Sequence, residues 1–349
     1  MEKSPLWILT QEPLLNSFVA YLSDTVRQIT ASSGGEMTVT FSQDQLREVR
    51  RVFADMLLRG EKKLHLFSEL ISKEYVGDYQ LSSVVYGEIE HSQERFMLTQ
   101  AISRHDLYST TDIDLGNRQL SKLRFYQNDD WVQASLVANV VEYQPAAINE
   151  FHVQKIISRI KAEEEIWNKV ADEIFDLDSL VKRDKQVSHL SYFVKDVFGL
   201  KIVVADARDI NPLQRTLATK SFTEASRIAL GIPVEPTTAM LEIMEVKDYS
   251  GPESLKQSGW GAVKSVVTWW GKTIEIQIIP LNIYLNEREY LTKESHAGFR
   301  TRREELRTRI TRDFPLYGFM RRLLQWLFLG GNDPAKTPQF PRIKIQMNP

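Results

Sequence analysis

Apolar and polar positions alternate most regularly between residues 240 and 280. The run Met240-Leu241-Glu242-Ile243-Met244-Glu245-Val246 reads as a strand that ends at Lys247-Asp248-Tyr249. A loop with Gly251, Pro252 and Gly259 follows. Two β-rich runs come next, Ala262 to Trp269 and Thr273 to Pro280, joined at Trp270-Gly271-Lys272, which predicts a hairpin. In the second run Ile274, Ile276 and Ile278 share one face and Glu275 and Gln277 the other, because side chains alternate along a strand. A carboxylate and an amide should therefore project together from a strand whose opposite face is core.

Elsewhere the pattern alternates between helix and strand. Leu14, Leu15, Phe18, Val19 and Leu22 predict a helix within residues 1–30, followed by a polar turn from Ile29 to Gly35. Ser42 is placed to cap a helix through Leu46, Val49, Val52, Phe53, Met56 and Leu57, which Lys63 to Lys73 continues. Leu120 to Tyr126 and Trp131 to Tyr143 read as strands around Asn128-Asp129-Asp130. Gln144-Pro145-Ala146-Ala147 reads as a linker. The apolar spacing from Phe151 to Phe175 predicts one long helix, Phe198 to Ala205 a buried strand, and Asn211 to Ala229 a helix stopping before Gly231. Residues 284–312 read as a charged helix and Leu316 to Leu329 as an amphipathic one.

Composition narrows the chemistry. At 349 residues the chain is long enough for two domains. It has no cysteine, which excludes disulfides, thiolate catalysis and cysteine-bound metal. No apolar run reaches the ~18 residues of a membrane span. Met1-Glu2-Lys3-Ser4-Pro5 lacks the charged-then-apolar layout of a secretion signal, so a cytoplasmic location is expected. Net charge is −2, but residues 1–150 carry 14 basic and 21 acidic side chains, which leaves the excess of cations in the second part. An anionic substrate suits that part.

The blocks in this basic part occur in a recognisable order. Arg159-Ile160-Lys161 through Ile166-Trp167-Asn168-Lys169 comes first, then Asp196-Val197-Phe198-Gly199-Leu200-Lys201-Ile202. Lys247-Asp248-Tyr249, Lys256 with Ser258-Gly259-Trp260, and Glu275-Ile276-Gln277-Ile278 follow. Together they resemble the synthetase domain of the RelA/SpoT family, the alarmone synthetases. The resemblance covers roughly residues 150–330. It implies an α+β fold, a nucleotidyltransferase-like mixed sheet flanked by helices, over residues 148–330. A separate α+β domain of possible regulatory role would precede it over 1–147, and a Pro-rich tail would follow over 331–349. The implied activity is transfer of diphosphate from ATP to the 3′-hydroxyl of GDP or GTP, giving (p)ppGpp.

The implied site residues follow the same blocks. Asp196 is the main Mg2+ ligand, and Glu275 is a second ligand or the base for the acceptor hydroxyl. Arg159, Lys161, Lys169 and Lys201 bind ATP. Lys256, Trp260, Lys264 and Gln277 bind the acceptor, with Trp260 stacking on its base. Each has a plainer reading: strand-end carboxylates facing solvent, a solvated helix face at Lys161–Glu165–Lys169, and an indole filling core. His296 matches the family's late histidine only loosely.

The departures are specific. Gly261 and Lys264 replace an Arg and a His, Lys201 replaces an Arg and loses its bidentate fork, and Ile279-Pro280 replace an Arg-Thr pair. Glu165 puts a carboxylate where triphosphate should lie, which opposes ATP unless it turns away or binds metal. These changes leave open a toxin that transfers diphosphate to the 3′ end of tRNA, and a module that has lost catalysis. Arg300, Arg302, Arg303, Arg307, Arg309 and Arg312 read as a solvated helix or as a ridge for RNA. Residues 1–150 match nothing in the family. His105-Asp106, with His91 too near it, does not make a metal-dependent hydrolase, so a regulatory, antitoxin-like or oligomerisation role is expected, and a homo-oligomer is one form of it.

Overall fold

The computed structural model describes residues 12–32, 35–89, 92, 94–127, 129–175, 197–251, 261–293 (backbone only for 289–293), 307–329 and 334–348. In chain order the elements are α1 (Pro13–Ala31), β1 (Met37–Ser42), α2 (Gln43–Tyr75), β2 (Tyr79–Ile89), β3 (Arg95–Ala101), α3 (Arg104–Ser109) and α4 (Asp112–Leu120). Then come β4 (Phe125–Gln127), β5 (Asp130–Val132), β6 (Ala134–Pro145), β7 (Val153–Ile160), α5 (Glu163–Ile174), β8 (Phe198–Val204), α6 (Ile210–Thr219), α7 (Glu224–Ala229) and α8 (Pro236–Ala239). Last are β9 (Glu242–Asp248), β10 (Val263–Trp269), β11 (Lys272–Pro280), α9 (Leu281–Lys293), a helical segment 307–313, α10 (Pro315–Phe328) and β12 (Ile343–Asn348). No helix among the described residues is long and apolar enough to cross a membrane.

The chain divides into two compact units. One takes residues 1–57, 161–195 and 298–349 and is mainly helical. In it Trp167 of α5 stacks on Phe328 of α10 with ring centroids 3.7 Å apart, and Phe53 of α2 closes on the same indole at 4.9 Å. Strand β12 pairs in parallel with β1, Met37 opposite Ile343 through Ser42 opposite Asn348. The expected Pro-rich tail is therefore corrected: its last residues are a strand, because the alternation in Ile343-Lys344-Ile345-Gln346-Met347 finds a partner edge.

The other unit takes residues 58–160 and 196–297 and is built on an eight-stranded mixed sheet, order β3-β2-β6-β7-β8-β11-β10-β9. All neighbours are antiparallel except β8 and β11, which run parallel at its centre. Helices cover both faces. On one, Gly60 of α2 abuts the Phe198 ring, Phe67 of α2 packs on Trp269 at 5.1 Å, and Gln214 of α6 meets Ser265 at 3.1 Å. On the other, α9 sets Tyr284 against Ile157, Val203, Ala262 and Ile279. The architecture is thus a mixed α+β sheet flanked by helices, as expected.

The N-terminal boundary is not where it was expected. Strand β6 hydrogen-bonds to β7, with Val141 opposite Ser158 and Tyr143 opposite Ile156, so the proposed linker at residue 147 falls between two strands of one sheet. The predicted helix from Phe151 to Phe175 is likewise two elements, β7 and α5. Val153, Ile156, Ile157 and Ile160 suit either period. The β-branched side chains and two open strand edges beside them favour the strand. The predicted helix from Asn211 also divides into α6 and α7. The β10–β11 hairpin forms as expected. Its central residues Trp270 and Gly271 take φ of 47° and 68°, the left-handed pair that a two-residue turn of the primed type needs.

Candidate active site

The site begins with the burial pattern of two central strands. Strand β8 is buried except at Lys201, and β11 is buried except at Glu275 and Gln277. A sheet centre normally reads as a continuous apolar run, so polar side chains there mark one face left partly uncovered. Gln277 lies opposite Lys201 in the parallel pair and opposite Lys264 in the hairpin. Strands are spaced about 4.8 Å apart, so Lys201, Gln277 and Lys264 form one row about 10 Å across.

Glu275 occupies the next row on the same face. Its Oε1 accepts a hydrogen bond from the Gln277 side-chain amide, and the Lys264 ammonium lies 3.7 Å from the same oxygen. Across the parallel pair Glu275 faces Gly199, and Gly199 faces Arg159 of β7. A Cβ at Gly199 would lie 3.5 Å from Arg159 Cγ and Nε, so the arginine stem runs over the position where β8 has no side chain.

Lys201 pairs with Glu287 of α9. Burial holds the Lys201 ammonium below its usual pKa; Glu287 opposes this, while Arg159 and Lys264 push in the same direction as burial. Those last two effects show that three cations act on one another across this face. Such a cluster is unfavourable alone and is relieved by a bound polyanion.

The expected residues fare differently. Arg159, Lys201, Lys264, Glu275 and Gln277 come together as described. Asp196, Lys256, Trp260 and His296 lie outside the described residues. Lys161 does not share a helix face with Glu165 and Lys169, because it precedes α5 by two positions. Lys161 and Lys169 also belong to the helical unit, and Arg159 and Lys201 to the sheet unit.

Glu165, whose charge was expected to oppose triphosphate, lies 3.7 Å from the Arg307 guanidinium. Arg307 also contacts Asp172 at 3.0 Å, and the Tyr317 hydroxyl donates to Asp172 at 2.6 Å. Arg307 is only 4% exposed, so it is not part of a solvated basic ridge. Arg309 and Arg312 are exposed, and Arg300, Arg302 and Arg303 lie outside the described residues. Asp106, of the only His-Asp dipeptide, is occupied in capping its own helix through Ser103.

Two features had no usable signal in the sequence. Glu287 is an ordinary acidic residue on a charged helix until α9 folds back beside Lys201. Gly199 reads as a strand glycine until Arg159 is seen lying over it.

No family model matches the chain, and no curated protein matches it. Among solved structures the chain is similar to small alarmone synthetase 1 from Bacillus subtilis bound to its product pppGpp. The identity is 17% over 42% of this chain and 65% of that one, with a TM-score of 0.25. A second structure of the same synthetase aligns at 15% identity over 46% of this chain and 82% of that one, with a TM-score of 0.23. In the first of these comparisons the chain spans about 65% of the synthetase's length.

Proposed function

We propose that the sheet unit carries a nucleotidyltransferase-like site that moves a diphosphate from ATP to the 3′-hydroxyl of GDP or GTP. The observation that supports this is the row Lys201–Gln277–Lys264 beside Glu275, with Arg159 laid across Gly199. Three cations with two carboxylates among them, Glu275 and Glu287, suit a polyphosphate whose charge shifts during transfer. The choice of acceptor follows from the resemblance of the blocks around Lys247 to Gln277, with Lys256 and Trp260 holding its base.

The reading assigns the following roles. Lys201 and Arg159 hold the phosphates of ATP; Lys264 lies across β11 from that set, 3.7 Å from Glu275 Oε1. The acceptor oxygen attacks the β-phosphorus, the bond from the β-phosphorus to the α-phosphate oxygen breaks, and AMP leaves. Glu275 takes the acceptor's proton or holds a cation, and Gln277 orients it by donating to Oε1. Glu275 is a hard oxygen donor on the cationic row, which fits the magnesium mode of one or two carboxylates plus substrate oxygens. Asp196 as the main carboxylate, with Glu275 as the second, would hold the ion. Bound magnesium would neutralise phosphate charge and orient the leaving group.

The test offers GDP, GTP and bulk tRNA in parallel to the purified chain with magnesium and ATP labelled at the β-phosphate. Label on a guanosine nucleotide, lost in Glu275→Gln, supports the proposal. Label on tRNA overturns the acceptor and makes the chain a tRNA diphosphotransferase. No transfer to any acceptor overturns the enzyme reading.

A further inference from the structure

On the opposite face of the sheet, among α2, α4 and the strands, three potential metal ligands meet in the interior. Glu61 and His65 are four residues apart on α2 and so share one helix face. Asp112 is the first residue of α4, after the Thr111 cap. His65 Nε2 lies 3.1 Å from Asp112 Oδ1 and 3.9 Å from Glu61 Oε1. His65 is 1% and Asp112 4% exposed. This is the only group of three such side chains among the described residues with ligand atoms this close.

The polar accounting at this cluster does not close. Asp112 Oδ2 is buried and has no hydrogen-bond partner. Among the described residues no lysine or arginine pairs with Glu61 or Asp112; their partners are each other and His65. Glu69, two turns further along α2, shows the contrast. It is equally buried, yet it accepts from the Arg104 guanidinium and from the hydroxyls of Tyr79 and Tyr108. Glu69 thus has a cation and two hydroxyl donors, whereas Glu61 and Asp112 share one imidazole and the backbone N–H that Asp112 donates to Glu61.

The electrostatics agree with the geometry. Burial pulls the His65 imidazole down, but Asp112 and Glu61 outweigh it and raise it to about 9. Burial is the first cause raising the Glu61 carboxyl.

We propose that Glu61, His65 and Asp112 form a buried, structural binding site for a divalent transition metal of the zinc class. Two carboxylates and a neutral imidazole balance a divalent cation, and one nitrogen with hard oxygens is a donor set such ions accept. Zinc–ligand bonds of 2.0–2.2 Å place tetrahedral ligand atoms about 3.4 Å apart, between the two distances seen here. A water supplies the remaining position. The outer contacts also fit. His65 Nδ1 lies 3.3 Å from the Tyr143 hydroxyl and 3.5 Å from Ser158 Oγ, partners that hold the proton on Nδ1 and leave Nε2 to the metal. Asn139 donates to the Asp112 carbonyl at 2.7 Å and fixes the start of α4. On binding, the Nε2 proton leaves, and the ion ties α2 to α4 beside the sheet.

The experiment uses the full chain, stripped with chelator and titrated with Co2+ and then Zn2+. The expected result is one equivalent of Co2+ with the visible absorption of a tetrahedral site, displaced by Zn2+, and a rise in Tm of several degrees with either ion. Asp112→Asn should abolish the absorption while far-ultraviolet circular dichroism stays native. If Asp112→Asn does not fold, Glu61→Gln serves, and is expected to weaken binding at least tenfold. Glu275→Gln should leave the signal intact, which separates this site from the proposed transfer site. A folded, stripped chain that binds neither ion would overturn the proposal, as would binding that survives both Asp112→Asn and Glu61→Gln.

Discussion

Glu275 stands directly opposite Gly199 across the parallel β8–β11 pair, and the side chain that Gly199 lacks is replaced by the stem of Arg159. A carboxylate and a guanidinium are thereby brought to one patch of a sheet whose central strands β8 and β11 are otherwise buried. The patch arises from three strands at once, since β7 supplies the cation, β8 the gap and β11 the carboxylate.

Glu275 is where the proposed transfer is most exposed to test. Its replacement by Gln keeps the shape and removes the charge, so ATP binding should persist. Transfer should fall by about 100-fold or more, within the range for loss of a positioned base. Rapid-quench product formation measured beside equilibrium ATP binding checks both parts.

Gly199 should tolerate a methyl group and nothing much larger. A Cβ there makes only ordinary contact with Arg159 at 3.5 Å, so Gly199→Ala should retain activity. Gly199→Leu should displace the arginine and raise KM for ATP about tenfold, the equivalent of 1.4 kcal/mol. Equal KM values in the two variants would contradict the role given to Arg159.

Lys201 gives a pH signature. Burial holds its pKa below that of an ordinary lysine, so its charge is lost earlier as pH rises. Activity that depends on this cation should fall on the alkaline side, and Lys201→Arg should extend activity to higher pH. Folding has the opposite sign: the unfolded state binds this proton more tightly, so the contribution to stability grows as pH rises through the lowered value. Paired pH profiles of kcat/KM for the two proteins provide the measurement.

In the helical unit, Asp172 joins Arg307 and the Tyr317 hydroxyl in the interior. Asp172→Ala removes the nearer of two carboxylates beside a buried guanidinium and should lower stability by about 3 kcal/mol. The double variant Asp172→Leu with Arg307→Met removes both charges and should recover much of that loss. Urea unfolding of the three proteins distinguishes them.

Alternation determined that Glu275 and Gln277 share a face, a near-continuous apolar run that Phe198 to Ala205 holds a buried strand, and the turn residues that Trp270-Gly271 joins a hairpin. These are local matters: a two-residue period and a turn with positive φ are written in the chain. Tertiary structure decided the rest. Val153 to Ile160 fits helix and strand alike until β6 and β8 offer hydrogen bonds on both sides. Residues 1–147 read as a separate domain until β2, β3 and β6 extend the sheet across the supposed linker. Glu165 reads as an obstacle until Arg307 is found beside it, and Glu61, His65 and Asp112 stay unrelated until α2 and α4 pack. In each case the deciding term is a partner distant in sequence, which no local period can specify.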